Sequence, residues 1–266
     1  SRLCSYPGNS RVLSSIDVIS IFPEMFKALS YGVSGKFLAK PDLTMRYWNP
    51  RDYADNERGY IDDRPYGGGP GMVMQASPLI RALEAIDSSE SCKNNKRKVV
   101  YLSPAGRKFN NEVATELLSA DSLTLVCGRY EGVDQRFCDN YVDMEVSLGD
   151  FVMSGGELAA MAIIDSIMRF MPGCLGNEDS FSEDSFYNSY LDHSHYTRPE
   201  VLSGNAVPGV LLSGDHAKID SWRKKNALGK TWLQRPDLLA QNLDCNEKQL
   251  LLQYVAEYLT KHEEKT

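Results

Sequence analysis

TLVCGRYEGVDQRFCDNYVDMEVSLGDFVMSGGE, residues 124–157, holds two short apolar runs that each end in a glycine-punctuated turn, Cys127–Gly132 and Gly149–Gly156. A small carboxylate-bearing segment lies between the turns, and a long apolar helix starts directly after them. Glycines this dense at strand ends point to backbone folded tightly around a ligand. One tight glycine turn is commonly structural; two turns framing one pocket argue for binding.

Upstream, Val99–Leu102 is a buried strand that leads straight into Ser103–Gly106. Leu123–Cys127 and Val142–Leu148 are the next strands, leading into Gly128 and Gly149. Ile16–Phe22 and Met45–Trp48 read as strands as well, and Pro23 opens a helix over Glu24–Leu29. Ser77–Ile86 and Phe109–Leu118 carry helical apolar spacing. Strands alternating with helices, without hairpin signals, predict an α/β fold with a parallel sheet. Ligands of such sheets sit outside the carboxyl ends of the strands. One pocket is therefore expected, lined by Ser103–Gly106, Gly128–Gly132 and Gly149–Gly156. No GxGxxG opens the first helix, which excludes an ordinary dinucleotide site. PYGGGPG (65–71) is not a phosphate loop, because no Gly-Lys-Ser/Thr follows. Its neighbours Asp62-Asp63-Arg64 and Tyr66 suggest a loop that closes over something.

The helix Glu157–Phe170 reads as nearly apolar all round and hence central, with Asp165 and Arg169 four apart on one face. A structural ion pair accounts for the two charges; a guanidinium kept in so apolar a helix also suggests a task. Residues 172–196 are polar, acidic and without periodicity. The expected organisation is an extension or expression remnant over 1–14, an α/β domain over 15–175, a flexible linker over 176–196 and a small all-helical domain over 197–266. In the last, Ala217–Leu228, Arg235–Asn242 and Asn246–His262 read as helices, with Gly229 as punctuation.

The formal net charge is −7, which is unlike a nucleic-acid binder. The distribution differs from the sum. Between 177 and 195 stand Glu178, Asp179, Glu183, Asp184 and Asp192 with no Lys or Arg, whereas 216–235 carries Lys218, Arg223, Lys224, Lys225, Lys230 and Arg235 against Asp220 alone. Such a run is either a solvated helix face or a phosphate-facing surface. Cys4, Cys92, Cys127, Cys138, Cys174 and Cys245 form no CxxC pair, which argues against a zinc site and a disulfide framework and for a reducing cytoplasm. His193 and His195 alternate without nearby cysteine, a weak metal signal, so no metal ligand is assigned. No apolar run approaches the roughly 20 residues that span a bilayer, and no membrane association is expected.

Taken together, IFPEMF (21–26), DDRPYGGGPGM (62–72), YLSPAGRK (101–108), LVCGRYEGVD (125–134), LGDFVMSGGEL (148–158), EDSF (183–186), HYTRPEVL (195–202) and LGKTWLQRPDLL (228–239) resemble the bacterial tRNA (guanine-N1)-methyltransferases of the TrmD family, in the trefoil-knotted SPOUT class. The resemblance implies a knotted parallel sheet, S-adenosylmethionine as methyl donor, and the tRNA guanosine just 3′ of the anticodon as acceptor. It places the donor against Leu102, Ser103 and Pro104, against Gly128, Tyr130 and Glu131, and against Leu148, Gly149, Asp150, Phe151, Val152, Met153, Gly155 and Gly156. Ala105 and Ala159 depart from the family, which commonly has Gln and Pro there. The base falls on Asp184, the cation at guanine O6 on Arg169, and an orienting carboxylate on Asp62. tRNA contacts fall on Ser185, His195, Tyr196 and Arg198, with Lys218, Arg223, Lys224 and Lys225 on the basic run. The family implies a homodimer with active sites at the subunit interface, and it admits a Mg2+ requirement, for which the sequence shows no dedicated cage. Rival readings are a knotted RNA methyltransferase with another target, a non-catalytic RNA- or nucleotide-binding module that would lack Asp184 or Arg169, and a phosphate-loop NTPase that would need a lysine absent here.

Overall fold

The computed structural model describes residues 13–39, 41, 43–89, 96–171, 174, 190–240 and 243–263. The chain divides into two compact units, Ser1–Gly176 and Asn177–Thr266.

In the first unit, β1 (Ser15–Ile19), β2 (Thr44–Trp48), β5 (Arg97–Lys108), β6 (Ser122–Cys127) and β7 (Met144–Ser147) form one sheet in the order β2-β1-β6-β5-β7. Every pairing in it is parallel, as the alternation of elements predicts. Both faces are covered, so the strands read as near-continuous apolar runs. α1 (Gly32–Leu38), α3 (Asn111–Leu118) and α5 (Glu157–Arg169) supply Phe37, Val113, Leu117, Ile163 and Ile167 to one face, where Ile16, Val18, Val100 and Leu125 point. α2 (Ala76–Ser88) and α4 (Gln135–Tyr141) supply Leu79, Leu83, Ile86 and Phe137 to the other, beneath Ile19, Val99, Tyr101 and Val126. Asp17 is fully buried in β1 and is tolerated because Arg46 grips it with two bonds, 2.7 and 2.8 Å, while the Trp48 indole donates at 2.7 Å.

Several expectations shift. The segment read as a helix over Glu24–Leu29 is a 3-10 helix, Pro23–Ser30. Ser103–Gly106 is not the end of a strand: β5 resumes after it, with Leu102 and Arg107 both opposite Val146, so the four residues bulge out of a ladder that closes again behind them. α4, inside the carboxylate-bearing segment, went unread because it is short and polar; Asp134 caps it, accepting from Arg136 N at 3.0 Å. β3 (Asp62–Asp63) and β4 (Val73–Met74) form an antiparallel pair around the glycine loop. α5 is not buried all round: Leu158, Ala162, Asp165 and Arg169 form an exposed stripe. Asp165 and Arg169 therefore meet solvent, Asp165 accepts from the Ser34 hydroxyl, and the cost of burying a guanidinium does not arise.

The second unit is built on α6 (His216–Gln234) and α7 (Cys245–Glu263). Asp215 caps α6 through Lys218 N at 3.2 Å. Gly229 does not end α6 but lies inside it, because a Cβ there would stand 2.2 Å from the Tyr254 ring of α7. The glycine is a contact point between helices. Where a helix is expected over Arg235–Asn242, Pro236–Ala240 is a 3-10 turn, and residues 241–242 lie outside the described residues. Nor is the unit all-helical: β8 (Val201–Leu202) and β9 (Asn205–Ala206) form a hairpin, with Ser203 at φ 51° and Gly204 at φ 81° in its two-residue turn. That left-handed pair matches the twist of a tight hairpin. The end of the acidic segment is tied to α6, with Leu191 N donating to Thr231 Oγ1 at 2.9 Å and Ser194 N to Asn226 Oδ1 at 2.7 Å. Among the described residues, no helix is long and apolar enough to cross a membrane.

Candidate active site

Between the bulge of β5 and the carboxyl ends of β6 and β7 lies a cavity of about 250 Å3. Its walls include Leu102, Ser103 and Pro104 from the β5 bulge, Gly128–Gly132 after β6, and Leu148, Gly149 and Phe151–Gly156 after β7. These are the three loops singled out from the sequence. Tyr101, Val146, Ser147 and Ala159 complete the lining. Asp150 does not line the cavity; it is exposed and paired with Lys108 at 2.6 Å. Ala105 is likewise absent from the walls. The loops approach each other closely: Gly156 N donates to Gly128 O at 3.0 Å, and a Cβ on Gly155 would stand 2.3 Å from Arg129 Nε.

Beneath this floor is an ion pair that the motif reading overlooked. Glu157, the first residue of α5, is fully buried. Arg129 donates to its Oε2 through Nε at 3.0 Å and Nη2 at 2.9 Å, and Ser20 donates to Oε1 at 2.9 Å. Arg129 Nη1 also donates to Ser154 O at 3.2 Å, and its guanidinium lies 4.6 Å from the centre of the Phe22 ring. One arginine thus ties the second loop to the third and both to the end of β1. The signal was present in the quoted stretch, but as an arginine among glycines whose partners lie far along the chain. Nearby, burial and then Glu157 push the Cys127 thiol well above its ordinary value, so it is no nucleophile. Burial, followed by the Cys138 and Glu145 charges, pushes the Tyr101 phenol up to about 12.

Asp62 reaches this region through the β3–β4 pair. Met74 N donates to Gly132 O, Asp134 N to Met74 O, and Glu131 N to Met72 O, each at 2.9 Å. These bonds fasten the end of the glycine loop to the wall formed after β6. The Tyr130 phenol is raised by burial and then by the Asp62 carboxylate, which also accepts its hydrogen bond. Asp62 is half-buried, while Tyr66 in the loop is 99% exposed. Arg169 stands in the last turn of α5 on its exposed stripe. Asp184 and Ser185 lie outside the described residues.

In the second unit, His195, Tyr196 and Arg198 are exposed. The basic run is less free than its sequence suggests. Lys218 meets Asp215 at 3.0 Å and Arg223 meets Asp220 at 3.7 Å, while α7 brings Glu247 to Lys224 at 3.2 Å and Glu257 to Lys225 at 2.6 Å. Carboxylates from another helix therefore offset charges that look unopposed along α6.

The family profile described as tRNA (Guanine-1)-methyltransferase TrmD matches residues 14–241. Relatives named tRNA (guanine-N(1)-)-methyltransferase are similar over nearly the full length. The protein from Photorhabdus laumondii is 51% identical over 248 residues, covering 92% of this chain and 98% of its own. That from Salmonella newport is 52% identical, covering 93% and 95%, and that from Vibrio cholerae is 50% identical, covering 93% and 99%. The motifs, the parallel sheet and these matches agree: the chain belongs to the tRNA (guanine-1)-methyltransferase TrmD family.

Proposed function

We propose that this protein methylates N1 of the guanosine immediately 3′ of the anticodon in tRNA, using S-adenosylmethionine, in the cytoplasm. The observation that carries the reading is the cavity between the β5 bulge and the ends of β6 and β7 in a chain of this family. The residues present fit the donor. Glycine backbone, the apolar side chains of Leu102, Leu148 and Met153, and Pro104 offer main-chain polar groups and flat apolar walls, as an adenosine requires. When bound, S-adenosylmethionine supplies a methyl group on a sulfonium, open to in-line displacement.

The protein's task is then to make guanine N1 a nucleophile. N1 carries a proton at neutral pH, and as the proton leaves, negative charge moves to O6. Asp184 takes the proton from N1, and the Arg169 guanidinium stabilises the charge on O6. Both roles follow the family pattern. Asp62, held at the β3–β4 pair and facing Tyr130, orients the base or the guanine. The Arg129–Glu157 pair keeps two loops in register, so that alignment contributes to lowering the barrier. Ser185, His195, Tyr196 and Arg198, with Lys218, Arg223, Lys224 and Lys225 of α6, grip the RNA.

The chain is further proposed to carry the trefoil knot of its class and to act as a homodimer, each subunit's linker and C-terminal domain completing its partner's site. Phe151 and Val152 of the cavity wall and Leu158 on the exposed stripe of α5 are 55%, 84% and 53% exposed, which suits surfaces that a second copy covers. Any Mg2+ requirement would concern the RNA complex rather than a cage in the donor cavity.

The test incubates the protein with labelled S-adenosylmethionine and unmodified tRNA and maps the methyl group. Asp184→Asn is expected to abolish turnover while donor binding stays nearly intact. Normal turnover in that variant would remove Asp184 from the role of base, and a methyl on any other atom would overturn the reading.

A further inference from the structure

Asp192, His193 and His195 draw together in the second unit in a way that tRNA binding does not explain. Their ligand-type atoms, one carboxylate oxygen and two imidazole nitrogens, lie within 4.8 Å of one another. His195 Nε2 is 2.7 Å from Asp192 Oδ2, and His193 Nε2 is 3.9 Å from Asp192 Oδ1. The two imidazole rings are 4.3 Å apart.

His193 supplies the observation that a surface cluster would lack. It is only 9% exposed, set edge-on to Trp222 with ring centres 6.4 Å apart. Its Nδ1 lies 3.1 Å from Ser194 O. A carbonyl can only accept, so Nδ1 carries the proton and a neutral ring presents a bare lone pair at Nε2. That Nε2 is buried and has no hydrogen-bond partner. Burying such an acceptor unsatisfied is costly, and a second-site bond that fixes the tautomer is the arrangement by which proteins aim a histidine at a metal.

We infer that Asp192, His193 and His195 form a site for a divalent transition-metal ion of the zinc type. Zn2+ bonds of about 2.0–2.1 Å in tetrahedral geometry separate neighbouring ligand atoms by roughly 3.3 Å. The distances of 2.7 and 3.9 Å run to the two different oxygens of Asp192 and straddle that value, so side-chain rotations that bring one oxygen to both imidazoles would seat the ion. Two imidazoles and one carboxylate suit zinc, cobalt or nickel and not Mg2+, which prefers an all-oxygen shell. His195, whose side chain is 66% exposed, leaves the fourth position open to water or another oxygen ligand. The backbone at Leu191 and Ser194 is already bonded to α6, so the ion would clip a preformed strap and not order a free chain.

Full-length protein stripped with chelator and titrated with Zn2+, or with Co2+ as a spectroscopic probe, tests the site. One equivalent per chain is expected, with the intense visible absorption of four-coordinate Co2+ and no thiolate charge-transfer band. Asp192→Asn, His193→Gln and His195→Ala should each weaken Zn2+ binding by at least about 100-fold. His195→Ala alters an exposed side chain and serves where the buried His193 variant fails to fold. Unchanged Zn2+ affinity in His195→Ala, a thiolate band abolished by Cys245→Ser, or displacement of Co2+ by millimolar Mg2+ would each overturn the inference, as would no binding at all.

Discussion

Arg129 and Lys225 each meet a glutamate closely, at 2.9 and 2.6 Å, yet the surroundings differ. The two cations are equally covered, each 18% exposed, but Glu157 is 1% exposed and Glu257 is 55% exposed. The first pair is a fastening: it holds two cavity loops, and neither charge can be left alone without a desolvation cost. The second is a screened surface contact whose main effect is to reduce the positive potential of α6. Distance alone does not distinguish a pair that builds a site from one that adjusts its field; burial does.

Breaking the buried pair should give the largest effect. Glu157→Ala leaves Arg129 and Ser20 without their acceptor and should cost about 3–5 kcal/mol in urea unfolding, with loss of donor binding. A cost below about 1 kcal/mol would put the pair in the same class as Lys225–Glu257. An intermediate effect comes from packing in the second unit. Gly229→Ala drives a methyl into the Tyr254 ring and should destabilise by about 1–3 kcal/mol, with part recovered when Tyr254 is replaced by Leu. The smallest effects sharpen the surface half of the comparison. Lys225→Ala should change stability by less than about 1 kcal/mol. Lys218→Ala and Arg223→Ala, at more exposed positions, should each reduce the slope of log K for tRNA against log salt by about one, and Lys225→Ala by clearly less. Equal slopes for the three would mean that Glu257 releases Lys225 to the RNA.

What could be read from the sequence was local. Apolar runs ending in glycine mark strand ends, so the presence of β5, β6 and β7 and nearly every wall of the cavity followed from residues adjacent in the chain, whereas the order β6-β5-β7 in the sheet did not. Asp150 stands apart from the walls because a loop residue can point away from the pocket its neighbours line, here toward Lys108. Partnerships across the chain were not legible. Glu157 takes its bonds from residues 28 and 137 positions away, and nothing in their spacing announces it. The basic run misled for the same reason, since Glu247 and Glu257 arrive on another helix. α5 looked apolar all round because Leu158 and Ala162 are apolar residues on its exposed stripe, a pattern composition cannot tell from burial.

The bulge in β5 has a consequence for how this cavity can change over time. Because Leu102 and Arg107 both face Val146, the ladder enters and leaves Ser103–Gly106 at the same register. A Cβ on Gly106 would stand 2.4 Å from Val146 N, so the return is fixed by that glycine. Ser103, Pro104 and Ala105 project from between those two anchors, so a change there alters the wall and not the strand register. The architecture thus separates heritable variation in what the wall recognises from variation in what keeps the sheet together.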